Sequence, residues 1–274
     1  MLRSMYSGIS GMKNFQTKLD VIGNNIANVN TYGFKKGRVV FKDLISQDLA
    51  GASAPNAGVR GGVNPKQVGL GSQLATIDTL HTTGSMQNTG RVLDTAISGD
   101  GYFIVGDTTN QSYTRAGNFY LDSTGNLVTG DGLYVLGDTR AATPTAGVIF
   151  PAIINIPTTA TDMSISKNGT ITFMDGGILR TAGQIQLAKF ANTGGLQKSG
   201  SNLFQNTINS GPPVTGFGTT AGFGDVESSQ LEMSNVDLSE EFTEMIVAQR
   251  AFQSNTRIIT TSDEILQELV NLKR

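Results

Sequence analysis

The residues of this chain that could do chemistry are few and poorly spaced for it. Two acidic pairs, Glu240-Glu241 and Asp263-Glu264, carry the right groups for proton transfer or for holding a divalent ion. Neighbours on a helix point about 100° apart, so neither pair converges on one reacting atom. Glu240 and Glu241 also stand where negative charge stabilises the start of a helix. His81 is the sole histidine and cysteine is absent. A histidine metal cluster, a zinc–thiolate site, disulfides and thiol catalysis are thereby excluded. His81 itself reads as a strand residue with a satisfied ring. Gly69-Leu70-Gly71 and Gly99-Asp100-Gly101 lead into no helix bearing the lysine or further glycine of a phosphate loop. The run Asp122-Ser123-Thr124-Gly125-Asn126 lacks the later bidentate glutamate of a calcium loop. Lys35, Lys36 and Arg38 form a small basic cluster, expected as a solvated face or as a contact to an acidic patch on a neighbouring copy. No catalytic, cofactor-binding or metal-binding residue is assigned, and no cofactor is implied.

Composition agrees. At 274 residues the chain can bury a proper core. Its net charge is −2 and only 15% of residues are charged, so no field points to nucleic acid or an anionic membrane. Glycine is abundant, at 34 residues, and tryptophan is absent, a texture of turn-rich β-structure. No run reaches the roughly 18–20 apolar residues of a membrane span. The first residues are broken by Arg3, Ser4, Ser7, Ser10, Lys13 and Asn14, so no signal peptide is expected.

What must position these residues is visible at the two ends. Leu2, Met5, Ile9, Met12, Phe15, Leu19, Ile22, Ile26 and Val29 follow one another at steps of three or four. Leu238, Met245, Phe252, Ile259 and Leu266 fall seven apart, supported by Phe242 and Val270. Such stripes predict helices that bury one face against other helices in coiled-coil fashion. Gly8, Gly11 and Gly23 each cost roughly 1 kcal/mol of helix propensity, which close approach of a neighbouring backbone would justify. Gln249, Thr256 and Asp263 place polar groups along the second stripe, suggesting one wet contact. Asp237 with Glu240 three residues later reads as a helix start of the capping-box type.

Between the ends the period changes to two. Residues 51–71, with Pro55 and Pro65, read as an extended connector. Alternating segments from residue 72 onward, parted by turn signals such as Asn168-Gly169 and Asp175-Gly176-Gly177, read as strands. Residues 138–150 mark an insertion, and the glycine-rich 194–224 is expected to lead outward. The resulting class is α+β. Residues 1–33 form the N-terminal helix of a coiled-coil-like inner domain and 34–71 the connector. A central all-β domain spans 72–224, and 225–274 holds the C-terminal helix.

Several motifs sit inside this frame. The first is Leu19-Asp20-Val21-Ile22-Gly23-Asn24-Asn25-Ile26-Ala27-Asn28 with Thr31-Tyr32-Gly33-Phe34-Lys35. The second is Asp94-Thr95-Ala96-Ile97-Ser98-Gly99-Asp100-Gly101-Tyr102-Phe103 with Tyr113-Thr114-Arg115-Ala116-Gly117-Asn118-Phe119. The third is Ser234-Asn235-Val236-Asp237-Leu238-Ser239 with Met245-Ile246-Val247-Ala248-Gln249-Arg250-Ala251-Phe252. In this order and spacing the chain resembles the bacterial flagellar rod–hook axial proteins, and within them it is most similar to a hook subunit lacking the large outer domain. The distal rod subunit, a rigid drive shaft, is the competing assignment.

The resemblance implies a non-enzymatic subunit of a hollow helical homopolymer in the flagellum, a flexible joint that transmits torque and conducts exported subunits. It implies signal-peptide-independent secretion through the flagellar type III export apparatus. Its implied neighbours are the distal rod, hook cap and hook–filament junction proteins, with no nucleic acid and no membrane insertion. Inter-subunit helix packing is expected of Leu2, Met5, Ile9, Met12, Leu19, Ile22 and Ile26. Their counterparts would be Phe242, Met245, Phe252, Ile259, Leu266 and Val270. Phe41 and Ile45 match the family's export-gate spacing, and Asn24, Asn25, Ala27, Asn28, Gly33 and Phe34 are its motif residues. A reading from another class, a secreted β-rich enzyme or glycan-binding module, would need a cleft with perturbed carboxylates or stacked aromatics.

Overall fold

The computed structural model describes residues 2–55, 61–139 and 152–272, Leu2 by its backbone alone. The side chain of Leu2 and most of the 138–150 insertion therefore lie outside the described residues. The chain divides into two compact units. One comprises Met1–Ala27, Gly37–Thr79 and Asp237–Arg274, the other Asn28–Lys36 and Leu80–Val236.

The first unit is built on two helices, α1 (Leu2–Ala27) and α2 (Leu238–Asn271). They run antiparallel: Asn25 meets Glu241, while Gly11 and Gly8 meet Asn255 and Ile259. The middle of their seam is small and polar. On α1 it holds buried Gly8, Gly11 and Asn25, and on α2 Glu241, Ala248 and Ser262, with half-buried Asn255 completing a row of four spaced seven residues apart; Asn14, donating to Ser72, and Ile22 are also buried on α1. A Cβ on Gly11 would lie 2.8 Å from Asn255 Nδ2, so bulky residues cannot occupy this line and flank it instead. The row lies one residue ahead of Gln249, Thr256 and Asp263, the polar positions read from the sequence, which are exposed. Asp237 caps α2 as expected, its carboxylate accepting from the Ser239 and Glu240 amides.

Strands flank the hairpin. Gly37–Asp43 pairs antiparallel with Ser72–Thr79, with a bulge between Val40 and Phe41, and Gln47–Ala50 pairs with Lys66–Val68. The described parts of 34–71 thus carry paired strands where an extended connector was expected. Strand 72–79 belongs with the helices, because its hydrogen-bonding partner does. In the ribbon Val39 and Phe41 alternate with exposed Arg38 and Lys42, and Phe41 sets its ring edge-on to Phe15 at 5.8 Å.

The second unit is antiparallel β. A six-stranded sheet runs in the order Gln197–Gly200, Leu203–Gln205, Gln111–Thr114, Tyr102–Gly106, Leu187–Lys189, Val214–Gly216. A five-stranded sheet runs Ala152–Ile153, Leu136–Asp138, Ile178–Ile185, Thr170–Asp175, Thr161–Ile165. The predicted turns join its last three strands, Gly169 at φ +83° and Gly176 and Gly177 at +58° and +84°. Strand 102–106 is buried along its whole length, since it separates two cores. Phe103 and Val105 join Ile97, Phe119, Leu127, Ile154, Ile171 and Ile185 on one side. Tyr102 and Ile104 join Tyr113, Leu136, Phe190 and Phe204 on the other. Period-two alternation places successive side chains on opposite faces, and each buried large apolar side chain contributes about 1.5–3 kcal/mol.

Three expectations shift here. The glycine-rich 194–224 does not simply lead outward, because three of its segments are strands of the six-stranded sheet. Asp225–Ser228 and Gln230–Glu232 pair with Thr95–Ser98 and Met86–Asn88, so residues 225–236 belong to the β-unit and not to the helical one. His81 lies outside any strand.

Candidate assembly surface and a buried charge cluster

The seam just described leaves much of the apolar stripe uncovered. Of the residues expected to pack between helices, Ile22 is buried. Met5, Ile9, Met12, Leu19, Ile26, Met245, Phe252, Ile259 and Leu266 are half-buried. Phe242 and Val270 are exposed, at 49% and 66%. The same helix also exposes Leu238, Ile246, Val247, Ile258, Ile265 and Leu269. On the paired strands Val40, Leu74 and Ile77 are open to solvent, and Ile45 beside them is 87% exposed. Scattered exposed apolar residues are ordinary; a helix with this many on one 34-residue span is not.

Asparagine holds the base of the hairpin. Asn25 is buried at the end of α1, donating to the Gly37 carbonyl and accepting from the Gly37 amide, both at 2.9 Å. Its second amide hydrogen reaches Glu241 Oε2 at 3.1 Å. One side chain thereby ties α1, the first strand and the first turn of α2. Asn24 and Ala27 face solvent, and Asn28 accepts from the Thr31 hydroxyl in the turn that follows. The acidic pairs do not converge: Glu241 is buried against Asn25, Glu240 is exposed, and Asp263 accepts from Gln267 one turn on. Among the described residues no group of three or more His, Asp or Glu could hold a metal ion.

The β-unit buries a charge cluster that the sequence did not announce. Lys35, read as part of a solvated basic face, is 1% exposed. Its ammonium donates to Glu232 Oε1 and to the Thr82 carbonyl at 2.7 Å. Glu232, also 1% exposed, accepts from the Gly84 amide at 3.0 Å and from Arg115 at 3.3 Å. Arg115 spreads its guanidinium further, to the Gly99 and Ile97 carbonyls and over the Tyr102 ring. Burial pushes the Lys35 ammonium below its usual range, and Glu232 opposes that shift. The other two members of the basic cluster differ: Arg38 is exposed and pairs with Asp78, and Lys36 is half-buried.

Beside the cluster, the Tyr102 hydroxyl and His81 Nδ1 lie 2.7 Å apart, while His81 Nε2 has no hydrogen-bond partner. Burial, and then the positive charges of Lys35, Lys198 and Arg115, lower the His81 ring to about 4. Burial raises the Tyr102 phenol to about 12. Both groups are therefore neutral at pH 7.

Glu232, Arg115 and His81 were missed as a set because they meet Lys35 only in space. Lys35 and Arg115 both stand in the quoted motifs, but 197 and 117 positions separate them from Glu232. No local spacing signals such a pairing. Gly33 sits at φ +69° against Arg115 and Ala116, where a Cβ would come within 2.5 Å of the Ala116 amide. Phe34 is buried beneath the Lys198 ammonium.

The described residues thus combine a terminal helix hairpin with a partly uncovered apolar flank and an antiparallel β-unit that buries a charge cluster. Comparisons with known proteins give the family. Residues 5–35 match the family described as "Flagella basal body rod protein", and 96–173 match "Flagellar hook protein FlgE/F/G D1 domain". Residues 227–272 match "Flagellar basal body rod FlgEFG protein C-terminal". The chain is 59% identical, over the whole of both proteins, to the flagellar basal-body rod protein FlgG of Bacillus subtilis. It is 34% identical over the whole of both to the flagellar hook protein FlgE of Borreliella burgdorferi, in an alignment 442 residues long. It also matches the hook protein FlgE of Treponema pallidum at 57% identity, across 47% of this chain and 27% of that one. The chain belongs to the flagellar rod–hook axial protein family, whose members are part of the bacterial flagellum.

The His81 environment gives a pH dependence with a definite sign. Between about 6.5 and 4 the unfolded chain takes up a proton at His81 that the folded unit refuses. Stability of the β-unit therefore falls as pH drops through that window and gains nothing from His81 above it. Allowing for the ring's partial exposure, the loss is on the order of 2 kcal/mol. Urea unfolding followed by near-ultraviolet circular dichroism at pH 7 and pH 4.5 should show a smaller pH effect in His81→Gln than in the parent. Equal slopes would show that the ring does not resist protonation.

Proposed function

We propose that this chain is a rod-type axial subunit of the flagellum, polymerising through the uncovered apolar flank of its terminal helices. The carrying observation is that α2 leaves Phe242, Ile246, Val247, Ile258, Ile265, Leu269 and Val270 open to water in the single chain. Its own partner helix is already in place, so these residues await other copies or neighbouring axial proteins. Contacts that build a tube must be heterologous and open-ended, which suits a helix offering different residues on different sides. The proposed inter-subunit set is Met5, Ile9, Met12, Leu19 and Ile26 with Phe242, Met245, Phe252, Ile259, Leu266 and Val270, while Ile22, expected in the same set, is buried within the single chain. In the chain itself the half-buried members flank the seam. No catalytic role is assigned.

Length supports rod over hook. The rod relative from Bacillus subtilis aligns end to end over 276 residues. The Borreliella hook relative needs an alignment of 442, so a large stretch of that protein has no counterpart here. The hook remains the second reading, favoured by the 57% identity over 128 residues to the Treponema hook protein. Export through the flagellar type III apparatus, with Phe41 and Ile45 as the recognised pair, belongs to the same proposal.

Phe242→Asp and Ile265→Asp separate assembly from folding, since both sites are about half exposed. Each should leave monomer stability within roughly 0.5 kcal/mol and abolish polymers seen by sedimentation and electron microscopy. Normal polymers from both variants would sink the assembly surface. Ile45 is nearly fully exposed, so Ile45→Ala should lower the secreted amount without changing the amount in cells; undiminished secretion removes it from the export reading. In a strain lacking the protein, a truncated rod supports the first reading, whereas a complete rod without a hook supports the second.

A further inference from the structure

Residues 31–36 are held by the β-unit in the manner of a bound peptide. Their backbone is engaged at nearly every step. The Gly33 amide donates to the Glu232 carbonyl at 2.8 Å, and the Lys36 amide donates to Asn235 Oδ1 at 2.8 Å. The Tyr32 carbonyl accepts from Asn202, the Lys35 carbonyl from the Lys198 ammonium, and the Lys36 carbonyl from the Leu80 amide. These partners come from three stretches of the chain far away in sequence, at 80, 198–202 and 232–235, and they add to the local turn bonds from the Thr31 amide to the Asn28 carbonyl and from the Phe34 amide to the Thr31 carbonyl. Two side-chain positions then discriminate. At Gly33 the backbone of Arg115 and Ala116 approaches so closely that only a residue without Cβ fits. At Lys35 a fully buried carboxylate, Glu232, and the Thr82 carbonyl accept an ammonium.

We propose that the β-unit contains an internal peptide-binding site whose ligand is the chain's own 31–36 segment. The site reads that segment at two points, Gly33 by shape and Lys35 by charge, and the strap opens and closes without unfolding the β core. A one-residue slip illustrates the selectivity. It would press Tyr32 or Phe34 against Ala116 and put Phe34 or Lys36 at the Glu232 carboxylate, so one register satisfies both points. Buried ion pairs add little net stability over apolar packing, yet a broken one is costly, which makes the pair a register device more than a source of cohesion. The two apolar cores lie among strands from elsewhere in the unit and take no residue from 31–36, which is why opening the strap leaves them intact.

The inference rests on the unit's geometry and not on the assembly reading, and it is tested on unassembled full-length chain by amide hydrogen exchange. Gly33 and Leu80 report the strap, through their bonds to Glu232 and Lys36, and residues 103–105 report the core. Lys35→Met should raise exchange at Gly33 and Leu80 by ~10-fold or more, with the core changing less than ~3-fold. Glu232→Gln, which leaves Arg115 and Gly84 an acceptor, should act the same way but more mildly. In Lys35→Met/Glu232→Gln the increase should be smaller than the two single effects combined, because no unpaired charge remains at the site. Arg38→Met, which breaks an exposed ion pair nearby in sequence, should leave Gly33 exchange unchanged. Unaltered exchange in both single variants would overturn the proposal. So would core amides losing protection in step with the strap in both, since the segment would then be an inseparable part of the fold.

Discussion

A carboxylate with almost no access to water organises the β-unit. Glu232 cannot be buried charged unless cations and donors surround it, and it collects them from distant parts of the chain: Lys35, Arg115 and the Gly84 amide. Meeting that requirement brings together the segment after α1, the 80–84 stretch, the strand-end loop at 115 and the last strand before α2. Gly33 must then lie on the Arg115–Ala116 backbone, and Phe34 beneath Lys198. Motif residues scattered along the sequence thereby acquire one shared physical cause.

The helical unit obeys the opposite logic. Its seam is narrow because Gly8, Gly11, Ala248 and Ser262 let the backbones approach, and polar Asn25 and Glu241 fit there because they bond each other and Asn25 also bonds the Gly37 backbone. A close seam of small residues buries little apolar area. The large side chains of the same helices are consequently displaced to the flanks, some mostly covered and others about half open to solvent or more. Cohesion within the chain therefore uses the small and polar residues of each helix and leaves many of the larger apolar ones available for other contacts.

The legibility of these features differs by range. Asp237 was recognisable as the cap of α2 because the donors it satisfies are two and three residues away. The turns at Asn168-Gly169 and Gly176-Gly177 were recognisable because positive φ is a property of single residues. The class and the two terminal helices followed from periodicity. Lys35 was misjudged as surface because a lysine beside Lys36 and Arg38 looks solvated until its acceptor, 197 residues away, is known. Strand 72–79 was placed with the β-domain because its alternation is the same whether its partner is a sheet or a ribbon beside helices.

By itself, then, the sequence determined what depends on neighbours within a few positions: where helices start, where turns fall, which segments alternate and which motifs mark the family. Only the tertiary structure decided which face of each helix meets the other, because backbone approach at Gly8 and Gly11 sets the contact line and the apolar stripe alone does not fix it. It alone decided that Lys35, Arg115 and Glu232 form one cluster, because charge pairing in a dry interior is settled by distance in space, a quantity that position along the chain does not encode.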